Sequence, residues 1–302
     1  MEETIREIVL QEMNEERYNR KHIDAKIRKA IDENPDMIKK IQQGVQLVKD
    51  YMSGQYYDSK MQRIKELQNM DIEAMVKEIF IGVAYSQKPE LFTSVSAQMA
   101  CRLAFNDRRE AITTVAELMA VLCNTDAYDI TKADKMASLM IQSRIPLPEQ
   151  IVRFIENSEY LPPMVCKPLE LTHNFSSGYL THNDSLILGT GNHHDGDICL
   201  DVLNIMNGVA LRIDTDFVST VEEEPTFEIK DQEQQELWDA FKRQSYAFYS
   251  LMVSQGNRMY LTHKVDKRGR IYAQGYHITT QGTAFKKAML ELANEEKVTG
   301  VP

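Results

Sequence analysis

The sequence predicts a predominantly α-helical α+β fold, in which a helical N-terminal region precedes a mixed region that contains a β-hairpin. In residues 1–150, glycine is scarce and apolar residues recur every three or four positions, which is typical of amphipathic helices. After residue 160, prolines, glycines and short alternating runs replace that pattern. A chain of 302 residues suits about two domains, and we place them at residues 1–160 and 161–302.

Two apolar stripes dominate the N-terminal region, one within residues 72–83 and one within residues 115–122. We interpret them as core packing or as a partner-facing surface, and the many methionines as adaptable filling. Prolines separate the predicted helices, at Pro35, Pro89, Pro146 and Pro148. The opening stretch, residues 5–31, is helical and dense in charge. It fits either a surface helix or a helix that docks on another chain.

The mixed region begins with Leu-Pro-Pro-Met-Val at 161–165, which cannot be helical through its prolines. The predicted elements that follow are a short strand at 186–188, a helical stretch at 200–211, an exposed acidic loop at 221–236, a helix at 232–255 and a last helix at 284–294. One face of the 232–255 helix carries Trp238, Phe241, Ser245, Phe248 and Met252. Alternating runs at 259–265 and 270–274 flank a turn at 266–269, which predicts a hairpin.

Composition narrows the class of protein. The four cysteines lie far apart and form no Cys-x-x-Cys pair, so we expect reduced, mostly buried thiols in place of a disulfide or zinc framework. No apolar run approaches the roughly 18 residues of a membrane span. The first residues also lack the basic and then apolar pattern of a signal peptide. We therefore expect a cytoplasmic protein that makes no use of a membrane.

Charge is unevenly distributed along the chain. The net charge of −10 argues against a protein that coats nucleic acid by bulk attraction. Residues 221–239 contain eight acids and one base, whereas residues 258–287 contain seven bases and one acid. The basic segment surrounds the predicted turn, so it suggests a defined nucleic-acid contact; a solvated charged surface is the alternative.

The predicted turn carries the pattern Asp-x-x-Gly-Arg, from Asp266 to Arg270. Its clustered cations supply charge for binding phosphates. Its glycine, Gly269, lets the main chain bend and approach a ligand closely. This combination suits a loop that contacts a nucleic-acid backbone.

Several short motifs occur in a particular order, namely Leu-Pro-Pro-Met-Val at 161–165, Leu-Asn-Ile-Met-Asn at 203–207, Leu-Arg-Ile at 211–213, Asp-x-x-Gly-Arg at 266–270, Gln-Gly at 281–282 and the segment 287–292. In this order, residues 161–300 resemble the middle of the single-subunit RNA polymerases of phages and mitochondria. The likeness runs from the end of the polymerase N-terminal domain to the start of the palm. Residues 1–160 carry no matching motif beyond their helical pattern.

The resemblance implies that the loop lies beside the active site and holds the template strand and the short RNA–DNA hybrid. Arg270 would bind a phosphate or groove edge of the hybrid, because its planar guanidinium can give two hydrogen bonds to one phosphate. Asp266 would fix the loop by accepting main-chain N–H bonds or by orienting Arg270. Tyr272 would face the same side as Arg270 and pack against a sugar or base. The implied nucleic-acid-binding residues are Asp266, Lys267, Arg268, Gly269, Arg270, Tyr272 and Lys287.

The resemblance also implies a split enzyme. The family's two metal-binding aspartates and its fingers lysine follow this motif, and we expect none of them between Arg270 and Pro302. Two-metal phosphoryl transfer needs those carboxylates, so this chain is expected to contain no catalytic residue and no metal ligand and to be inactive alone. It would be the smaller subunit of a heterodimeric phage DNA-directed RNA polymerase, with magnesium bound mainly by the larger subunit, which carries the fingers and the catalytic palm.

The implied partners are therefore the larger subunit, the DNA template, the RNA–DNA hybrid and the NTPs, in the cytoplasm of a phage-infected bacterial cell. Because residues 1–160 show no promoter-reading segment, an accessory single-stranded-DNA-binding protein that delivers the template is compatible with this interpretation. A permanent interface with the larger subunit should be large and apolar. The N-terminal stripes and the Trp238–Met252 face are candidates for that interface and equally for this chain's own core.

Two other functions remain open, a stand-alone nucleic-acid-binding regulatory module without polymerase activity and a structural protein whose hairpin likeness is accidental. The run His193-His194-Asp195-Gly196-Asp197 looks like a metal site, but it lies in a Gly- and Asn-rich loop. There we expect exposed histidines, and we expect Asp195 or Asp197 to cap the helix that begins near Leu200. Gly189-Thr190-Gly191 lacks the further glycine and the lysine of a phosphate-binding loop.

Overall fold

The computed structural model describes residues 2–101, 107–133, 138–157, 160–189, 192–294 and 300. The chain forms two compact units: the helical unit is Arg20–Glu156, and the hairpin unit combines Met1–Asn19 with Asn157–Pro302. The predicted fold class is confirmed, because helices predominate and the sheets are small and antiparallel. None of the helices in the described ranges combines the length and hydrophobicity that crossing a membrane requires.

The first helix of the chain, α1 (Glu2–Tyr18), belongs to the hairpin unit. The helical unit contains α2 (Arg20–Asp32), α3 (Pro35–Ser53), α4 (Asp58–Leu67), α5 (Ile72–Val83), β1 (Glu90–Leu91), α6 (Phe92–Ala100), α7 (Arg108–Leu122), β2 (Tyr128–Lys132), β3 (Leu139–Ser143) and α8 (Glu149–Asn157). Side-chain caps begin several helices: the Oδ1 of Asn34 accepts hydrogen bonds from Asp36 and Met37, with Pro35 in the first turn.

The core of the helical unit is one contiguous apolar cluster. The two stripes predicted from the sequence form its centre, where Ile79, Val115 and Leu118 are fully buried. These stripes are therefore core. An antiparallel sheet in the order β1-β3-β2 was not expected in this helical region. Its strands are short, and Tyr128 in β2 anchors it by burying its ring and donating a hydrogen bond to the carbonyl of Met119 at 2.5 Å.

The hairpin unit contains α9 (Leu200–Asn207), β4 (Leu211–Ile213), α10 (Thr215–Thr220), α11 (Gln232–Ser254), β5 (His263–Val265), β6 (Ile271–Ala273), α12 (Ala284–Ala288) and β7 (Leu290–Leu292) in addition to α1. Three predictions need correction. The helix expected over 200–211 ends at Asn207, and the one expected over 284–294 ends at Ala288. A few residues after each helix end, the chain instead forms the strands of the antiparallel pair β4–β7, which places Ile213 opposite Leu290. The acidic loop is not wholly exposed, because Glu223 is buried.

Segment 259–265 joins the parts of the hairpin unit. Met259 pairs with Leu211, Tyr260 pairs with Met164 of the Leu-Pro-Pro-Met-Val motif, and β5 pairs with β6. The strand expected at 186–188 appears as a single parallel bridge between Ile187 and Val265. Backbone pairing therefore holds β5 on both sides, and the hairpin projects from this fixed strand.

The Trp238–Met252 face of α11 is one candidate for the predicted interface with a larger subunit. The Trp238–Met252 face packs inward at its C-terminal end, where Ser245, Phe248 and Met252 are buried. Trp238 and Phe241, at the other end, are partly buried and stack on each other with ring centroids 5.3 Å apart.

The polar face of α1 also packs inward. The buried carboxylate of Glu15 accepts N–H bonds from Leu180 and Thr181, and the Gln11 side chain accepts one from Val165, each at 2.9 Å.

All four cysteines are free thiols. Cys166 is buried and Cys101 is exposed, while Cys123 and Cys199 are partly exposed, so the expectation that most are buried was wrong.

Candidate nucleic-acid interface

The Asp-x-x-Gly-Arg motif forms the tip of the predicted β5–β6 hairpin. In this antiparallel pair, His263 lies opposite Ala273 and Val265 opposite Ile271. The tip closes with a hydrogen bond from the Gly269 N–H to the Asp266 carbonyl and one from the Asp266 N–H to the Arg270 carbonyl, both 2.9 Å. Gly269 adopts φ +81°, a left-handed conformation that favours glycine.

The carboxylate of Asp266 organises this tip. Its Oδ1 accepts the backbone N–H groups of Arg268 at 2.9 Å and Arg270 at 3.0 Å. Its Oδ2 accepts Nε of Arg270 at 2.8 Å and lies 2.7 Å from Nη2 of the same guanidinium. The backbone hydrogen bond from Arg270 is the main reason that the pKa of Asp266 lies below its usual value. The resemblance implied that Asp266 fixes the main chain or orients the arginine, and in the structure it makes both kinds of contact.

Arg270 is held in place but still accessible. Its side chain is 53% exposed, and its guanidinium carbon lies 5.7 Å from the centre of the Tyr272 ring, on the shared side predicted from the strand alternation. A guanidinium carries five N–H donors, and Asp266 engages only its Nε edge. The other N–H donors of Arg270 therefore remain available to a ligand. Because the contact with Asp266 already limits the motion of this side chain, binding a ligand costs less conformational entropy.

The other cations of the basic segment differ in their surroundings. Lys267 and Arg268 lie exposed at the tip, where the Nε of Arg268 also pairs with Asp266 at 3.3 Å. Lys264, by contrast, is partly buried and forms an ion pair with Asp184 at 2.7 Å. Lys287 is exposed on α12, a separate element. Its neighbour Lys286 is buried, and burial lowers its pKa. The structure thus gathers six of the seven predicted binding residues on one hairpin and leaves Lys287 on α12.

Gln281 is a positioning residue whose role the sequence did not reveal. Its side-chain amide donates to the carbonyl of Ile271 and accepts from the N–H of Ala273, both at 3.0 Å. The amide therefore satisfies the outer edge of β6 as a neighbouring strand would. Gln281 belongs to a motif of the resemblance, but only the folded chain shows that it supports the hairpin.

The loop at 193–197 does not provide the predicted cap for α9. The N-cap of α9 is Cys199, and no side chain caps it, so the expectation that Asp195 or Asp197 is the cap was wrong. Asp195 instead contacts Nε2 of His193 at 2.9 Å. Within the described ranges, no three His, Cys, Asp or Glu side chains are placed to hold a metal ion together.

Part of the chain is similar in sequence to a known protein. No protein-family model matches the chain. Over 150 residues the chain is 27% identical to a protein of Gelasinospora sp. (strain G114) named "Probable DNA-directed RNA polymerase". The similarity covers 45% of this chain and 17% of that protein, so the chain corresponds to a small part of the relative's length.

Proposed function

We propose that this chain is the smaller subunit of a heterodimeric, phage-type DNA-directed RNA polymerase. Its hairpin tip holds the template strand and the RNA–DNA hybrid near an active site that a larger subunit completes. The observation that carries this proposal is the Asp266 carboxylate, which fixes the tip and presents a half-exposed Arg270. The similarity to a protein named as a probable DNA-directed RNA polymerase also supports a polymerase role.

The tip has the chemistry that a nucleic-acid backbone requires. The available N–H groups of Arg270 can bind one phosphate in a bidentate way. Lys267 and Arg268 add exposed charge beside it, and the release of counterions from the phosphates favours binding. Tyr272, next to the guanidinium, offers a ring face for a sugar or base. Lys287 adds a further contact to the hybrid backbone in this proposal.

The proposed reaction is nucleotidyl transfer from NTPs on a DNA template. Two-metal catalysis of this step depends on carboxylates that hold magnesium. In the proposal the larger subunit supplies most of these ligands, and the isolated smaller subunit is inactive. An accessory single-stranded-DNA-binding protein that delivers the template is a further proposed partner.

Purification of the tagged chain from its native source tests the proposal. We expect a stoichiometric second polypeptide and template-dependent RNA synthesis by the pair, but not by either protein alone. A chain that purifies alone, and whose binding to nucleic acid weakens steeply with salt, would favour the stand-alone regulatory module.

Arg270→Ala tests the role of the tip itself. We expect RNA synthesis by the reconstituted pair to fall about tenfold or more, because a charge-assisted bidentate contact contributes on the order of 1.5–3 kcal/mol. The matched control is Arg153→Ala, which removes an exposed, ion-paired arginine in the helical unit. Unchanged synthesis by the Arg270 variant, with an unchanged circular dichroism spectrum, would contradict the assignment.

A further inference from the structure

A groove of about 540 Å³ runs beside the hairpin tip. The residues that line it include His193, His194, Asp197, Cys199, Lys267 and Gly269. The groove therefore shares Lys267 and Gly269 with the tip, and its opposite wall is the His-rich loop at 193–197.

The two walls are fixed to the same strand. Asn174 donates its side-chain amide to the carbonyls of His194 and Gly196, both at 2.6 Å, and its own carbonyl accepts the N–H of Leu186 at 2.9 Å. Leu186 in turn accepts the N–H of Val265 at the end of β5. A short chain of hydrogen bonds thus connects the loop to the hairpin, so the groove is built before any ligand arrives.

The loop wall offers hydrogen-bond donors. The Nδ1 of His194 accepts the N–H of Gly196 at 2.6 Å, so a neutral His194 ring carries its proton on Nε2 and can donate it. Opposite lies the exposed ammonium of Lys267. Two acids line the groove, and the carboxylate of Asp266 is already engaged by Arg268 and Arg270, so Asp197 is the lining acid that opposes an anionic ligand. Asp195, on the same loop, is engaged by His193.

An exposed aromatic ring continues this wall. Phe175 is 48% exposed and meets the His193 ring edge-to-face, with centroids 5.9 Å apart. Unpaired bases stack on exposed aromatic rings, and neighbouring cations bind the backbone of the same strand. Double-stranded nucleic acid does not offer its base faces in this way, so the arrangement favours a single strand.

We propose that this groove binds a single-stranded nucleic-acid segment that extends from the hybrid held at the hairpin tip. His194 and Lys267 contact its phosphates, and Phe175 with His193 stacks a base. This inference rests on the proposed function, because it takes the tip as the site of the hybrid. RNA and DNA strands share the required chemistry, and the test separates them.

Fluorescence anisotropy with the full chain tests the groove. The probes are a blunt RNA–DNA hybrid, the same hybrid with a single-stranded RNA extension, and the same hybrid with a DNA extension. We expect an extension to tighten binding about fivefold or more, since stacking on one aromatic ring contributes about 1–3 kcal/mol per base. The double variant His193→Ala/His194→Ala should lose that gain and keep the wild-type affinity for the blunt hybrid.

Asp197→Asn should tighten binding of the extended hybrid, because it removes the negative charge that opposes the phosphates. His22→Ala in the helical unit serves as control and should bind all three probes like wild type.

The outcomes separate the two proposals. A gain with only one kind of extension identifies the strand, and equal gains support a groove that accepts either. The blunt hybrid could bind in an Arg270-dependent way while an extension gives no increase in affinity, or the increase could survive the double histidine variant. Either result would contradict the proposed role of the groove and leave the proposed function standing. If no hybrid binds at all, the proposed function of the tip is overturned, and the groove inference, which takes the tip as its starting point, falls with it.

Discussion

The two compact units bury different kinds of residue. In the helical unit the buried apolar side chains form one cluster, whereas in the hairpin unit they divide into three smaller clusters. Of the buried polar side chains in the described ranges, fifteen lie in the hairpin unit and five in the helical unit. The comparison indicates that apolar burial stabilises the helical unit, while specific hydrogen bonds position the loops of the hairpin unit.

Burial and hydrogen bonding shift the pKa values of several polar groups in the hairpin unit. Burial lowers the pKa of His277 to about 4, and it also lowers the pKa of His263. Burial alone would raise the pKa of Glu15, but hydrogen bonds from His182, Thr181, Gln11 and Leu180 outweigh it and lower the pKa to about 2. The stability of this unit should therefore depend on pH through groups that lie away from the hairpin tip.

The largest expected effect comes from the core of the helical unit. Ile79→Ala removes part of a fully buried side chain and should lower the free energy of unfolding by about 2–5 kcal/mol, through lost burial and a new cavity. Denaturant titration, monitored by circular dichroism, measures this change in the free energy of unfolding. Ile5→Ala is the control, because Ile5 is 57% exposed and should change stability by less than about 0.5 kcal/mol. Similar losses for the two variants would contradict the account of the core.

A smaller effect is expected from the polar interior of the hairpin unit. Glu15→Gln keeps the shape but loses the charge-assisted hydrogen bonds, and it should cost about 2–3 kcal/mol. Because the folded-state pKa of Glu15 lies below its usual value of 4.5, its contribution is present above that pH. The contribution, on the order of 3 kcal/mol, is lost as the pH falls from about 4.5 to about 2.

Denaturation of wild type and Glu15→Gln across that pH range tests this assignment. The difference in stability between the two proteins should shrink as the pH falls. Glu12→Gln, on the exposed side of the same helix, is the matched control and should behave like wild type. A difference that stays constant down to low pH would show that the charge of Glu15 is not the cause.

The smallest effect on stability is expected at the hairpin tip. Gly269→Val should cost about 1–2 kcal/mol and weaken binding to an RNA–DNA hybrid, because a β-branched residue is strained at φ +81°. A Cβ at this position would meet no atom within 4 Å, so the strain lies in the backbone alone. Gly269→Asn is the control, since asparagine tolerates this conformation better. Equal hybrid affinities for both variants, measured by fluorescence anisotropy, would contradict the need for a left-handed residue here.

Local patterns predicted the parts of the fold that depend on neighbouring residues. Apolar spacing identified the helical stripes around Ile79 and Leu118, which the structure places in the core, and alternation around a glycine identified the hairpin of Asp266 and Arg270. Both patterns are periodic and reflect the geometry of a single helix or strand pair. The resemblance suggested a role for the tip in contacting nucleic acid, which the periodic patterns do not indicate.

The predictions that failed, and the question that the sequence left open at α1, have the opposite cause. The residues after Ala288 form β7 because β4 lies beside them, and sequence positions almost eighty apart leave no local signal of that pairing. On α1 the apolar residues Ile5, Val9 and Met13 are exposed, while the polar residues on the opposite face are buried by hydrogen bonds to distant loops. Amphipathic spacing indicates that a helix has two faces, but it does not show which one its neighbours will cover.

The sequence by itself therefore determined the helical character of the chain, the two apolar stripes and the hairpin with its cations, because each depends on contacts between residues close in the chain. Only the tertiary structure decided that Lys286 is buried and Lys287 exposed, that Gln281 supports β6, and that the His193–Asp197 loop borders the hairpin tip. Those outcomes depend on which distant segments meet, and the free energy that selects them comes from packing and hydrogen bonds across the whole unit.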